Sequence, residues 1–132
     1  MITHLTAERR DHLEGTSEIF INGPAIRKDR FVSARECLPF SGTDILERNE
    51  QEVILIHRGE TESRIVLPYA GSGEAEVTTM VGTLRFTSEL TEFAWEEEEI
   101  RFRYRLLQDS SPVTDLELVF RFGTPEGTDL RA

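Results

Sequence analysis

The sequence predicts an all-β protein built as a single antiparallel up-and-down barrel of about eight to ten strands. Two runs near the C-terminus, at 100–106 and 116–122, alternate between apolar and polar residues. This alternation is typical of strands with one buried face, and two such runs in succession indicate a β-hairpin. Shorter apolar runs between turn-forming residues fill the rest of the chain, without a convincing helical pattern. A long meander removes its exposed edges by closing on itself, which favours a barrel.

The hairpin is predicted to place its large apolar side chains on one face and most of its charges on the other. The inward face carries Ile100, Phe102, Tyr104, Leu106, Leu116, Leu118, Phe120 and Phe122. The outward face carries Arg101, Arg103, Arg105, Glu117, Val119 and Arg121. Residues 108–115, with their Asp, Ser and Pro, are predicted to form the loop. We therefore expect Phe102 and Phe120 to be buried and Arg103 to be exposed.

The N-terminal third of the chain contains two segments whose structure the sequence leaves open. Residues 2–10 fit either a strand or a helix. Residues 43–48 fit a short strand or one helical turn, because Asp44 and Glu47 have the spacing of a capping box.

Two other segments before residue 43 are predicted to be strands. Residues 17–22 place two isoleucines on one parity before Asn22-Gly23-Pro24, which is predicted to end the strand. Residues 30–37 alternate less clearly, and Pro39 and Ser41-Gly42 are predicted to end that strand.

The middle of the chain is predicted to form a second hairpin and then a bulged strand. Residues 53–56 are apolar on both parities and are predicted to be the most buried segment of the first half, paired with 64–67. A small-residue loop at 70–73 precedes a strand near 77–80. The large apolar residues of 84–95 change parity near Thr91 or Glu92, which predicts a β-bulge there.

Composition indicates one acidic domain in a reducing compartment. The 132 residues fit a single barrel domain over 1–122, followed by a polar tail at 123–132 that is expected to be flexible. The formal charge of −10 disfavours nucleic acid and anionic membranes as partners. Cys37 is the only cysteine, and neither a signal peptide nor a membrane-spanning apolar run is evident. We therefore expect a cytoplasmic protein.

Four pieces of the chain resemble the YwiB-like family, a group of uncharacterised bacterial calycin-type proteins. They are RKDRFVSARE at 27–36, VILIHRG at 53–59, GTLRF at 82–86 and the C-terminal hairpin. The resemblance spans nearly all of the chain and implies a lipocalin-like barrel of roughly eight to ten strands. It implies no activity, because the family has no established one.

No catalytic or metal-binding motif is found in the sequence. His4, His12 and His57 lack the spacing of metal ligands, and each is expected to be solvated or packed. Ser72 lacks the strand-to-helix turn of a nucleophile elbow, and the glycine loop around it lacks the helix that a phosphate site needs. We therefore expect no enzymatic activity, no cofactor and no metal.

Two surfaces remain as candidate sites. Arg101, Arg103, Arg105 and Arg121 could form a basic face for an anionic partner or a second copy of the chain, or they could pair with outward glutamates. Inside the barrel, Ser88 and Tyr104 could orient a small apolar ligand, unless side chains fill the interior. The sequence thus favours a non-enzymatic barrel that binds a small apolar ligand, with an interaction or assembly module as the alternative.

Overall fold

A computed structural model describes residues 1–123, and these residues form ten β-strands. The strands are β1 (Ile2–Asp11), β2 (Thr16–Lys28), β3 (Phe31–Arg35), β4 (Thr43–Arg48), β5 (Glu52–Arg58), β6 (Glu62–Pro68), β7 (Ser72–Thr79), β8 (Gly82–Trp95), β9 (Glu99–Gln108) and β10 (Ser111–Phe122). No helix occurs in this part of the chain, so none is long and apolar enough to cross a membrane.

The strands form one closed antiparallel barrel with up-and-down topology, as the sequence predicts. Each strand pairs with its neighbours in the chain, and β1 pairs with β10 to close the sheet. The two segments that the sequence leaves undecided between strand and helix, 2–10 and 43–48, are the strands β1 and β4. The parity change near Thr91 is a bulge, since the register of β8 against β9 shifts between Leu90 and Glu92. The predicted tail is described only at Gly123; 124–132 lie outside the described residues.

Two predicted boundaries are wrong. Strand β2 continues through Asn22, Gly23 and Pro24, which pair with β1. Pro24 is tolerated because β3 pairs with β2 only from Ala25 onward, so one side of Pro24 has no neighbouring ladder. The loop predicted at 108–115 is a tight turn.

The turn between β9 and β10 consists of two residues with left-handed backbone. Asp109 has a φ of 52° and Ser110 a φ of 68°. Positive φ at both central positions matches the twist of the flanking strands and permits a two-residue connection. The predicted loop residues beyond Ser110 therefore belong to β10.

The interior of the barrel is a single apolar core, and the predicted alternation of the C-terminal hairpin is confirmed there. Phe102 and Phe120 are buried, and their ring centroids lie 6.2 Å apart. Phe20 meets Phe120 edge to face at 6.2 Å. These rings close the middle of the barrel and leave the remaining space at one end.

The outward face of the hairpin is more covered than predicted. The Arg103 side chain is 31% exposed, because it lies along Asp115 and forms two hydrogen bonds to that carboxylate. Val119 also points outward yet is fully buried, since its cross-strand neighbours Glu8 and Arg101 flank it. Arg103 therefore lies on the outward face as predicted, but it is only partly exposed.

Candidate ligand-binding site

A cavity of about 240 Å³ opens at the end of the barrel where odd-numbered strands finish and even-numbered strands begin. Its lining combines apolar and polar side chains: Arg9, Phe20, Glu36, Asp44, Leu55, His57, Thr61, Ser63, Ile65, Tyr104 and Leu118. Given ~30 Å³ per molecule in liquid water, the cavity has room for about eight waters. It therefore suits a molecule of small-metabolite size.

The polar wall of the cavity is built around His57. Its Nδ1 lies 2.9 Å from Asp44 Oδ1 and 3.1 Å from Glu36 Oε2. The side chains of Asp44 and Glu36 are only 8% and 6% exposed. Two carboxyl groups and one imidazole thus converge in a largely dehydrated place. We call these three residues the acid–histidine cluster.

Strand pairing explains how the cluster forms. In the β4–β5 hairpin Asp44 lies directly opposite His57, so both side chains project from the same face of the sheet. Asp44 shares the inward parity of the buried Leu46, as His57 shares that of Leu55. Glu36 follows β3 immediately, and its backbone N–H donates to the Gly42 carbonyl at 2.9 Å. This loop closure brings Glu36 to the hairpin.

Two glycines hold the imidazole ring in place. A Cβ on Gly42 would lie 2.7 Å from His57 Cε1 and 2.7 Å from the Arg58 carbonyl oxygen. Gly42 also has a φ of +107°, a conformation that other residues rarely adopt. A Cβ on Gly59 would lie 3.1 Å from His57 Nε2. The ring of His57 therefore occupies space that only glycine leaves free.

Burial shifts the acid–base properties of the carboxyl groups. Removal from water, together with the hydrogen bond and charge of Asp44, raises the pKa of Glu36 to about 8. Removal from water also raises the pKa of Asp44 above its usual range. His57 and Arg9 act in the opposite direction on the pKa of Glu36, through their charges. The cluster therefore retains protons that exposed carboxyl groups would release.

One oxygen of the cluster has no hydrogen-bond partner. Asp44 is 7% exposed, and its buried Oδ2 receives no hydrogen bond while Glu36 is ionised. A buried polar atom without a partner costs on the order of 1–3 kcal/mol, so native proteins rarely keep one without a ligand, ion or water beside it. Because Asp44 lines the cavity, an occupant of the cavity can supply that partner.

Arg9 brings a positive charge to the same cavity. It follows Leu5 and Ala7 on the inward parity of β1, and its side chain is 28% exposed. The guanidinium stacks over Phe20 at 4.6 Å from the ring centroid and donates to Glu18 Oε2 at 3.0 Å. The cavity thus offers a fixed cation in addition to the acid–histidine cluster.

This arrangement can bind a hydrogen-bond donor, a cation or an acidic ligand. Carboxylates and imidazole accept hydrogen bonds from amines and hydroxyls, and Arg9 can bind a carboxylate or phosphate. The three cluster residues are also the group within residues 1–123 whose donor atoms are close enough to hold one metal ion, all within 4.8 Å of one another.

Of the two interior residues predicted from sequence, only Tyr104 lines the cavity. It is 4% exposed, and burial raises the pKa of its hydroxyl above the usual range. Ser88 is fully buried, but its hydroxyl donates to the Val66 carbonyl instead of facing the cavity. The structure therefore brings Tyr104, and not Ser88, to the site.

The arginines predicted as a basic face are each paired with a carboxylate. Arg103 binds Asp115 at 2.9 Å, and Arg105 donates to Glu89 at 3.0 Å. The two other arginines of this face also pair, since Arg101 lies 3.5 Å from Glu117 and Arg121 3.3 Å from Glu99. This is the cross-strand pairing that the sequence offered as the alternative to a partner surface.

Sequence reasoning missed the acid–histidine cluster because its members come from three separate segments. A search for close spacing along the chain does not find Glu36, Asp44 and His57. The alternation of inward and outward positions along the strands does carry a signal. Asp44, His57 and Arg9 are polar residues at inward positions of predicted or possible strands. Three such positions at the same end of a barrel indicate a polar cavity.

Comparisons with known proteins show a related fold. The structure is similar to a crystal structure of the YwiB protein from Bacillus subtilis, with a TM-score of 0.58 and 15% sequence identity. The similarity covers 93% of this chain and 91% of that chain. No protein-family model matches the sequence, and no curated protein matches it. At this identity the comparison supports the barrel fold and assigns no function.

Proposed function

We propose that this protein is a non-enzymatic barrel that binds one small amphipathic molecule in the cavity. The observation that carries the proposal is a cavity of about 240 Å³ whose wall includes Asp44, a buried carboxylate with one unpaired oxygen. An occupant that donates a hydrogen bond to this oxygen removes the cost of burying it alone. The sequence predicts an apolar ligand. The mixed lining of the cavity instead favours a ligand that has a polar head group as well as an apolar body.

The two sides of the cavity define the ligand. Leu55, Ile65 and Leu118 are buried side chains that pack against an apolar body. The acid–histidine cluster, Arg9 and Tyr104 supply convergent polar groups that orient a head group. Typical pockets for drug-sized molecules measure roughly 300–1,000 Å³, so the occupant is smaller than those ligands.

The lining supports binding in preference to catalysis. A nucleophilic hydroxyl needs a hydrogen bond to its activating base. Within the described residues, no hydrogen bond joins His57 to the lining hydroxyls of Thr61 or Ser63. His57 Nδ1 instead faces two carboxyl groups. We therefore retain a binding role without turnover.

Three further parts of the proposal rest on sequence. A cytoplasmic location agrees with the single free Cys37, because proteins of reducing compartments rarely carry disulfides. Kinship with YwiB-like calycins agrees with the shared barrel. An interaction module or homo-oligomer built on Arg101, Arg103 and Arg105 stays a prediction, and the carboxylates that pair with these arginines leave no net positive surface for it.

A fragment screen with a blocked variant tests the proposed function. Thr61 lies at an exposed turn and lines the cavity, so Thr61→Trp should fill the mouth without disturbing the core. Glu60→Trp is the matched control, because Glu60 is exposed in the same turn but does not line the cavity. The probes are small amines, carboxylates and alcohols that carry an apolar group, with binding measured by ligand-detected NMR.

The proposal predicts that some fragments bind the wild-type protein and Glu60→Trp but not Thr61→Trp. Binding should also raise the melting temperature in proportion to how far the fragment concentration exceeds its Kd. A panel with no binder, or fragments that bind Thr61→Trp as well as the wild type, would contradict the proposed function. Turnover of a bound fragment would contradict its non-enzymatic part.

A further inference from the structure

We propose that Glu36, Asp44 and His57 together bind one divalent first-row transition-metal ion, such as Mn²⁺ or Zn²⁺, in the wall of the cavity. The inference deepens the proposed function. It rests on that function only where an organic ligand is said to share the cavity with the ion. The three donor atoms come from the residue that follows β3, from the start of β4 and from the end of β5. The ion therefore ties three adjacent strands together at the mouth of the barrel.

The spacing of the donor atoms fits one metal ion. An octahedral ion with bonds of ~2.1 Å separates adjacent ligand atoms by ~3.0 Å. His57 Nδ1 lies 2.9 Å from Asp44 Oδ1 and 3.1 Å from Glu36 Oε2, and all the donor atoms lie within 4.8 Å of one another. His57 Nδ1 therefore has the separation of an adjacent ligand from each of the two carboxylate oxygens.

The unpaired oxygen of Asp44 is the second, independent observation. Asp44 is only 7% exposed and lines the cavity, and its buried Oδ2 receives no hydrogen bond while Glu36 is ionised, as a metal ligand is. A hydrogen bond to His57 accounts for Oδ1 but leaves Oδ2 without a partner. A cation at the cluster stabilises both oxygens of this carboxylate by charge, and a second coordinate bond or a metal-bound water can satisfy Oδ2.

The donor set and its surroundings favour a transition metal. One imidazole with two carboxylates suits Mn²⁺, Fe²⁺ or Zn²⁺, whereas Ca²⁺ and Mg²⁺ prefer oxygen ligands alone. Gly42 and Gly59 confine the His57 ring, so the ligand is held in position before the ion arrives. The three ligands and Arg9 line the same cavity, so an acidic ligand bound there could contact both the ion and Arg9.

Metal binding is measured on the full chain after treatment with EDTA and exchange into metal-free buffer. The probes are Mn²⁺, followed by the loss of its free-ion signal in electron paramagnetic resonance, and Zn²⁺, followed by calorimetry. We expect one ion per chain and weaker binding of Mg²⁺ and Ca²⁺. Bound metal should also raise the melting temperature by mass action.

Two ligand variants and a matched control locate the ion. Asp44→Asn and Glu36→Gln should each weaken Mn²⁺ binding by more than the ~10–100-fold that loss of a hydrogen bond to a metal ligand costs. Asp115→Asn should leave it unchanged, because Asp115 is buried to a similar degree, at 9% exposure against 7%, but lies outside the cavity. Glu36 lies outside the strands, so Glu36→Gln keeps the test valid if Asp44→Asn does not fold.

Binding with other stoichiometry, or equal binding by the wild type, Asp44→Asn and Glu36→Gln, would overturn the inference and assign the ions to surface carboxylates. Thr61→Trp separates this failure from failure of the proposed function. That variant should still bind Mn²⁺ while it excludes the fragments. Fragment binding without metal refutes only the metal site, and metal binding without fragments refutes only the proposed organic ligand.

Discussion

Asp44 and Asp115 are both buried aspartates, yet their surroundings give them opposite roles. Asp115 receives two hydrogen bonds of 2.9 Å from Arg103, which tie β10 to β9. Asp44 shares His57 with Glu36 and keeps one oxygen unpaired. A fully paired carboxylate stabilises the fold, whereas an incompletely paired one at a cavity is available to a ligand.

The Asp115–Arg103 pair predicts how stability depends on pH. The hydrogen bond and charge of Arg103 lower the pKa of Asp115 below its usual range. A carboxyl group whose pKa is lower in the folded state stabilises that state above its unfolded pKa of ~3.9, and this contribution is lost as the pH falls through the folded value. Asp115→Asn should therefore reduce the free energy of unfolding at pH 7 and much less near pH 2.

Denaturant titrations of the wild type and Asp115→Asn at pH 7, 4 and 2 measure this effect. The difference between the two proteins should shrink as the pH falls. The exposed Asp109 supplies the control, because Asp109→Asn removes a carboxylate without breaking that ion pair. An equal loss for Asp115→Asn at every pH would mean that its charge does not stabilise the fold.

The elements of this barrel are specified mainly by alternation and by turns. The β9–β10 hairpin turns on Asp109 and Ser110, both with positive φ. Non-glycine residues in left-handed backbone carry a cost of roughly 1–2 kcal/mol, from which glycine is exempt. The hairpin is therefore held closed by its strands in spite of its turn residues.

Glycine at Ser110 should stabilise the hairpin. Ser110→Gly relieves the left-handed strain and gives the Asp-Gly pair preferred in such turns. Part of the gain is offset by the greater freedom of glycine in the unfolded chain, so we expect ~0.5–1 kcal/mol. Thermal and denaturant unfolding measure the change, and Ser111→Gly in β10 should instead destabilise. A loss of stability for Ser110→Gly would contradict the turn geometry.

Particular elements show how much of this fold the sequence could predict. The alternation of β9 and β10 and the parity change in β8 are local patterns, and both are confirmed. The end of β2 at Pro24 was predicted wrongly, because whether a proline is tolerated depends on which neighbouring strand reaches it. The predicted length of the β9–β10 loop was also wrong. Pairing with the neighbouring strand, and not composition, decides where that loop ends.

The candidate site was less predictable than the fold. Tyr104 was placed correctly by alternation along its strand. Glu36 follows a strand, in a loop whose path no local pattern describes, and its approach to His57 depends on the close contact of Gly42 with the ring. Such a contact joins three segments and becomes visible only in three dimensions.

At the scale of the whole molecule, the barrel divides into a packed middle and a polar mouth. Phe20, Phe102 and Phe120 fill the centre, and the acid–histidine cluster lies at the end with the cavity. Pairing of β1 with β10 closes the sheet, so neither edge strand is free to bind a partner. The concave surface that remains for a ligand is the mouth of the barrel. We therefore expect ligand binding at this end and not on the outer arginine face.

The most direct test of this claim is a map of amide chemical-shift changes in the ¹⁵N-labelled protein with its best-binding fragment. We expect the largest changes at Gly42, His57 and Thr61, which surround the mouth of the cavity. Smaller changes are expected along β9 and β10 outside Tyr104 and Leu118. The largest changes at Arg101, Arg103 and Arg105, with none around the cavity, would contradict the account and favour an interaction surface.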